Sequence, residues 1–85
     1  TIKFIDNNGV YFLADRYTKL TSCKRKTISL IPFPMATEIK TKGLQYPLNN
    51  ESLSLGDRIG TRNMAIEDTI EITFQTGDLF VFIID

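Results

Sequence analysis

Residues 43–63, GLQYPLNNESLSLGDRIGTRN, are the stretch that decides how this chain folds. The stretch contains a proline and an Asn-Asn pair, and three glycines: Gly43, Gly56 and Gly60. No window in it is regular enough for a helix or an ordinary strand. Apolar residues nevertheless recur along it: Leu44, Tyr46, Leu48, Leu53, Leu55 and Ile59. We therefore expect an ordered, irregular loop, called the ledge below, and ordered loops on rigid supports are where binding residues concentrate.

Strand-like segments precede the ledge. Residues 1–5 and 10–14 are rich in β-branched and aromatic residues and are separated by Asp-Asn-Asn-Gly, which predicts a hairpin. Residues 17–21 predict a third short strand, and the cationic loop at 22–26 predicts a solvated tip. Residues 27–31 alternate as a strand that Pro32 and Pro34 should end, since neither can donate to a ladder; residues 35–41 then resume an extended pattern.

Two further strands are predicted after the ledge. Residues 69–74 alternate apolar and polar side chains, which is typical of a strand with one buried face. Residues 79–84, LFVFII, are apolar at every position and must be covered on both sides, by the domain's own layers or by another subunit or domain. The pattern predicts one all-β domain over residues 1–85, an antiparallel β-sandwich or flattened barrel.

Composition limits the function. Ten basic and ten acidic residues cancel, with a pI near 6.1, which disfavours a nucleic-acid partner. No apolar run approaches the roughly 20 residues of a membrane span. The single cysteine, Cys23, fits a reducing compartment, and we expect a cytoplasmic location. The chain has no histidine and its carboxylates are scattered, so catalytic and metal-binding machinery is not expected within it. Because it begins at Thr1 in a strand-like pattern, we expect a piece of a longer protein.

The ledge also resembles a known family. GLQYPLNNESLSLG followed by IGTRN resembles the thiamine-binding signature of thiamine pyrophosphokinases: a G-L-K-(Y or W)-x-L run, an L-x-x-G, and a Gly/Ser-rich turn ending in Asn. ISLIPF at 28–33 resembles the S-L-I-P segment that the family carries just upstream. The resemblance covers the middle third to half of the chain and implies a C-terminal thiamine-binding β-domain of a two-domain enzyme.

The resemblance implies an activity for the whole enzyme. It would transfer a pyrophosphoryl group from ATP to the hydroxyl of thiamine, giving thiamine diphosphate and AMP. A preceding α/β domain would hold Mg²⁺ and ATP, and active sites would form where the subunits of a homodimer meet. The 85 residues alone would position thiamine and be inactive.

Site residues follow from the same resemblance. Tyr46 stands where relatives place an aromatic ring against thiamine, a flat cation that suits an aromatic face. Leu44 could wall the pocket, since residues two apart in an extended segment point to one side, or it could anchor the core. Asn63 matches the final polar residue, while Arg62 occupies the usual Ser position, so Thr61 would supply the hydroxyl. Arg62 could contact a phosphate or pair with Asp57.

Two alternatives come from the residues themselves. The chain could be a small β-sandwich that binds another flat ligand or a peptide at a sheet edge. It could also be a structural dimerisation domain in which 79–84 form the interface and the ledge has no ligand.

Overall fold

Eight antiparallel β-strands account for the architecture of the described residues, which in this computed structural model are 3–7, 9–56 and 60–84. The strands are β1 Lys3–Asp6, β2 Gly9–Leu13, β3 Tyr17–Leu20, β4 Thr27–Lys42, β5 Asn49–Ser54, β6 Gly60–Met64, β7 Ile70–Thr73 and β8 Thr76–Ile84. The side chains of Asp6 and Thr61 lie outside the description. The predicted all-β class is confirmed, as are the β1–β2 hairpin, β3 and β7.

The long strand β4 is the spine of the sheet. β8 and then β7 pair along one of its edges, while β6 and then β5 pair along the other. β2 and β1 extend the sheet beyond β8, and β3 extends it beyond β7, giving the order β1-β2-β8-β4-β7-β3. The first half of β4 therefore lies mainly between β8 and β6, and its second half lies mainly between β7 and β5. These two parts of the curled sheet are called its lobes below.

The core lies between the two lobes. β4 contributes Ile28 and Leu30 from its first half and Ile39 from its second half. They pack in one cluster with residues of the neighbouring strands, among them Leu53, Ile70, Ile72, Leu79 and Val81. The predicted alternation in residues 69–74 is confirmed, because Ile70, Ile72 and Phe74 are buried.

The prediction that Pro32 and Pro34 end a strand is wrong. β4 continues through both prolines, and its pairing with β8 shifts register between Pro32 and Ala36. Proline is tolerated in a sheet at such a bulge because the bulge does not require every ladder hydrogen bond. The Pro34 carbonyl instead accepts a hydrogen bond from the backbone N–H of Leu55 at 2.6 Å.

The expectation that the whole ledge is irregular is also wrong in part. Its middle forms β5 and its end forms β6, both against β4. Asn50 lies in β5 with a φ of 58°. β5 follows register shifts around Ile39, so the strand is distorted although it pairs. Residues 43–48 remain a loop without a regular strand, and Leu55 and Gly56 form a turn after β5; residues 57–59 of the ledge lie outside the described residues.

β8 separates the core from a second apolar surface. Leu79, Val81 and Ile83 are buried, whereas Phe80, Phe82 and Ile84 are only partly covered on the opposite side. That side of β8 and its neighbours, called the outer face below, carries an aromatic row in which Phe4 stacks on Tyr11 and Tyr11 on Phe82, each pair with centroids 5.4 Å apart. Phe33 meets Phe80 edge to face at 5.6 Å. No second layer of the described chain covers this face.

Candidate functional site

Backbone hydrogen bonds hold the first part of the ledge, residues 43–48, at its two ends. Gly43 has a φ of 90°, a conformation that glycine adopts without strain, and its carbonyl accepts the N–H of Ile66 at 2.8 Å. An added Cβ at Gly43 would lie 2.7 Å from the Thr69 carbonyl oxygen. The sharp turn at the start of the ledge therefore depends on glycine.

A buried threonine holds the other end of this loop. The backbone N–H of Thr41 donates to the Leu48 carbonyl at 3.0 Å, and the Thr41 Oγ1 accepts the N–H of Leu48 at 2.9 Å. Thr41 is the polar residue of the described core, and this pair satisfies its hydroxyl. Residues 43–48 are thus fixed at both ends, as an ordered binding loop must be.

The Asn63 amide clamps the backbone of Tyr46. Its Oδ1 accepts the Tyr46 N–H at 3.0 Å, and its Nδ2 donates to the Tyr46 carbonyl at 2.7 Å. The same Oδ1 accepts the Met64 N–H at 3.0 Å. An asparagine amide has the same donor and acceptor pair as a peptide group, so it can pair with a backbone segment as a strand would. The structure thus brings the two main predicted site residues together, across 17 residues of sequence.

This clamp limits what Asn63 can offer a ligand. Both acceptor positions of its Oδ1 are used, and one of its two Nδ2 hydrogens is used. A single N–H remains for a contact outside the protein. Asn63 is therefore first a positioning residue for Tyr46.

Tyr46 presents its side chain to solvent. The residue is 65% exposed although its backbone N–H and carbonyl are both bonded to Asn63. An exposed ring on a fixed backbone costs little conformational entropy when a flat ligand stacks on it. This is the arrangement that an aromatic recognition surface requires.

Leu44 lies on the other side of the loop. It is 2% exposed, belongs to the core cluster, and forms an isolated bridge with Ala65. Leu48 is partly buried and packs against the same core. Of the two interpretations left open for Leu44, the core anchor is confirmed and the pocket wall is wrong, because residues 43–48 are not extended and Leu44 turns inward.

The remaining predicted residues lie on β6. Thr61 is in this strand, and its side chain is outside the description. Arg62 is exposed and pairs in register with Ser29, which pairs with Phe82 of the outer face. Side chains alternate along a strand, so Arg62 points to the face opposite Asn63. Asp57, its predicted surface partner, lies outside the described residues.

The described residues do not form a metal centre. No group of three Asp, Glu, Cys or His side chains among them is arranged to hold an ion. The described residues also include no helix of the length and apolarity that crossing a bilayer demands.

A curled all-β sheet that fixes an exposed aromatic residue on an ordered loop defines a ligand-binding β-domain. Comparison with protein families identifies it further: residues 14–79 match the model of the thiamin pyrophosphokinase vitamin B1-binding domain. The chain belongs to this family. Both Tyr46 and Asn63 fall inside the matched region, and the resemblance seen in the ledge is confirmed.

Solved structures agree with this assignment. The fold is similar to thiamine pyrophosphokinase from Bacillus subtilis, at 25% identity and a TM-score of 0.85 over 96% of this chain and 40% of that one. It is also similar to the enzyme from Geobacillus thermodenitrificans, at 21% identity and a TM-score of 0.88 over 98% of this chain and 40% of that one. It is similar as well to yeast thiamin pyrophosphokinase, at 16% identity and a TM-score of 0.77 over 98% of this chain and 29% of that one. The chain thus spans two-fifths or less of these three proteins. A search of curated protein sequences finds no match.

Sequence reasoning missed the clamping role of Asn63 and the anchoring role of Thr41. Neither residue has a local signal for its partner, because the bonded groups lie 17 and 7 residues away. The signal that exists is indirect: a loop without regular structure needs polar side chains elsewhere to satisfy its backbone.

Proposed function

We propose that this chain is the thiamine-positioning domain of a longer thiamine pyrophosphokinase, which transfers pyrophosphate from ATP to thiamine and yields thiamine diphosphate and AMP. One observation carries the proposal: Tyr46 is held by Asn63 with its side chain exposed, inside the region that matches the vitamin B1-binding family. Thiamine supplies the flat, cationic ring system that such a side chain attracts.

The site residues divide into contacts and supports. Tyr46 stacks on thiamine, and Asn63 holds Tyr46 and donates its remaining N–H to the ligand. Thr61 adds a hydroxyl contact. Leu44 supports the loop from the core side, where its side chain is buried.

The reaction needs more than this domain. Pyrophosphoryl transfer depends on positioning and on charge neutralisation by a metal ion. Mg²⁺ and ATP would be held mainly by residues outside these 85, in an N-terminal domain, as the family resemblance implies. The role left for this chain is to bind and orient thiamine in the cytoplasm. Alone, it should form no AMP from ATP and thiamine.

Thiamine titration of the 85-residue chain by calorimetry tests the proposal. Tyr46→Ala should weaken binding about fivefold, from the loss of about 1 kcal/mol of stacking and cation–π attraction, and Tyr46→Phe should keep most of it. Asn49→Ala, at another exposed asparagine of the ledge, is the matched control and should change nothing. Equal affinity for a neutral heteroaromatic of similar size would favour a general binding module instead.

The outer face supports a homodimer. Its row of stacked rings includes Phe4, which is 52% exposed, and Leu13 and Phe33 on the same face are 43% and 57% exposed. Apolar surface of this kind marks interaction sites, and aromatic residues are enriched in interfaces. A twofold axis lets the same face cover itself in a second subunit. Arg62, at the end of the row through Ser29, would then approach the partner subunit, where it could reach a phosphate of the ligand.

Analytical ultracentrifugation tests the dimer. Leu13→Lys and Phe33→Lys place a charge on the outer face at exposed positions and should give a monomer without unfolding the chain. Ile66→Lys is the control, because Ile66 is 50% exposed but lies in the loop after β6. A chain that stays monomeric at high concentration, or dissociates equally with Ile66→Lys, would contradict this interface.

A further inference from the structure

Met64 lies beside the Asn63 clamp and is held by the same amide oxygen as Tyr46. The Oδ1 of Asn63 accepts the backbone N–H of Tyr46 and the backbone N–H of Met64, each at 3.0 Å. The two backbone nitrogens therefore lie no more than twice that distance apart. One side chain thus fixes the position of Met64 relative to the exposed tyrosine.

The backbone of Met64 is tied to the ledge a second time. Its carbonyl accepts the N–H of Gln45, the residue before Tyr46, at 2.8 Å. The next residue, Ala65, forms the isolated antiparallel bridge with Leu44. The N–H and the carbonyl of Met64 are both bonded within this unit, so its side chain is the part that can meet a ligand.

The Met64 side chain points away from the core. Ala65 is 1% exposed, whereas Met64 is 43% exposed, as expected for neighbours on a strand whose side chains alternate. A methionine side chain is unbranched and polarisable, so it adapts its shape to a partner and makes favourable contacts with aromatic rings. Two exposed side chains that suit a flat ring system, Tyr46 and Met64, therefore leave neighbouring and fixed backbones.

Charged residues of both signs surround Met64. Arg62 precedes it by two positions on the same side of β6. Arg25 is bonded through its backbone N–H to the carbonyl of the residue after Met64, and Glu67 approaches the start of the ledge through its own N–H. Met64 is uncharged, so its contact with a cationic ring needs none of these charges and sets no like charge against the ligand.

We propose that Met64 is a second contact for thiamine and forms an apolar wall beside the ring that stacks on Tyr46. The inference rests on the proposed function, because it requires thiamine to bind at Tyr46. Each of the three residues then has a distinct part: Tyr46 supplies the aromatic face, Met64 supplies the adaptable wall, and Asn63 sets the spacing between them.

Oxidation by hydrogen peroxide tests the contact, because the chain carries its own reference. It contains two methionines, and Met35, in β4 opposite Ser54, is 45% exposed against 43% for Met64. Peroxide transfers an oxygen atom to the methionine sulfur and leaves water, and peptide mass spectrometry measures the sulfoxide. Saturating thiamine should slow oxidation of Met64 about threefold or more and leave Met35 unchanged. Consumption of peroxide by thiamine would slow both equally, so the ratio of the two rates is the measure.

Variants test the same contact by affinity. Met64→Ala should weaken thiamine binding about fivefold in calorimetry, and Met64→Leu, which keeps the apolar bulk, should stay within about twofold of the parent. Met35→Ala is the matched control and should leave the affinity unchanged. Circular dichroism shows that each variant is folded.

The outcomes separate this inference from the thiamine site itself. Selective protection of Met64, together with the loss of affinity in Met64→Ala, supports the contact. Unchanged affinity in Met64→Ala, or equal slowing of oxidation at Met64 and Met35, would overturn it; if Tyr46→Ala still weakens binding, the proposed function stands. No saturable binding of thiamine to the parent chain would overturn the proposed function, and the Met64 contact with it.

Discussion

Replacing Asn63 with alanine should destabilise the domain by about 2 kcal/mol. The change removes three hydrogen bonds, to the Tyr46 N–H, the Tyr46 carbonyl and the Met64 N–H. Each such bond contributes about 0.5–1.5 kcal/mol net, and the lower part of that range applies because Asn63 is only partly buried and water replaces some of the contacts. For a domain of this size the expected fall in Tm is about 8–16 °C.

Thermal unfolding followed by circular dichroism measures this change, with Asn49→Ala as the control that should stay within about 0.5 kcal/mol of the parent. Binding separates positioning from direct contact. If Asn63 acts by holding Tyr46, then Asn63→Ala should cost much less thiamine affinity in a Tyr46→Ala background than in the parent. A fall in Tm below about 4 °C, or strictly additive losses of affinity, would refute the clamp.

Three other perturbations are informative. Leu44→Ala should cost about 2–5 kcal/mol in urea unfolding, because a buried leucine leaves a cavity in the core, and a cost below 1 kcal/mol would contradict its burial. Gly43 and Gly56 both have a left-handed φ, of 90° and 88°, but of the two only Gly43 is crowded. Gly56→Ala should therefore lower the free energy of unfolding by about 1 kcal/mol, and Gly43→Ala should lower it by about 1–3 kcal/mol more. Equal losses would be inconsistent with the contact between an added Cβ at Gly43 and the Thr69 carbonyl. Burial raises the pKa of the Cys23 thiol; the charge of Lys26 lowers this pKa and the charge of Asp68 raises it. As the pH rises, the thiol therefore loses its proton in the unfolded chain before it does so in the folded one. The part of the unfolding free energy that depends on Cys23 should therefore be constant below the ordinary thiol pKa and fall as the pH rises above it. Cys23→Ala should not show this fall. An identical pH profile of unfolding free energy for the two proteins would argue against a raised pKa.

Most of the fold could be predicted from local patterns. The alternation around Ile70 and Ile72 predicts which face is buried, and the Asp-Asn-Asn-Gly segment between two strand-like runs predicts the β1–β2 hairpin. The errors lie where tertiary pairing overrides a local rule. Pro34 is compatible with a long strand because β4 bulges there, and Asn50 lies in β5 at the point where the pairing with β4 shifts register. Neither bulge has a signature in the neighbouring residues.

The site could be predicted only as a set of residues. The resemblance placed Tyr46 and Asn63 in one region, but the pairing of the Asn63 amide with the Tyr46 backbone depends on how β6 meets the ledge. The inward turn of Leu44 likewise depends on the left-handed Gly43 before it. Side-chain direction in a loop follows from backbone dihedral angles, which a period-two rule for strands does not describe.

Chemical-shift mapping of a thiamine titration tests the central claim most directly. The clamp predicts that the largest saturable shifts fall on Tyr46 and its neighbours in residues 43–48, and on Asn63 and Met64. The side-chain amide signal of Asn63 should move with them. Shifts confined to the outer face, or no saturable shift at all, would contradict a thiamine site built on Tyr46 and Asn63.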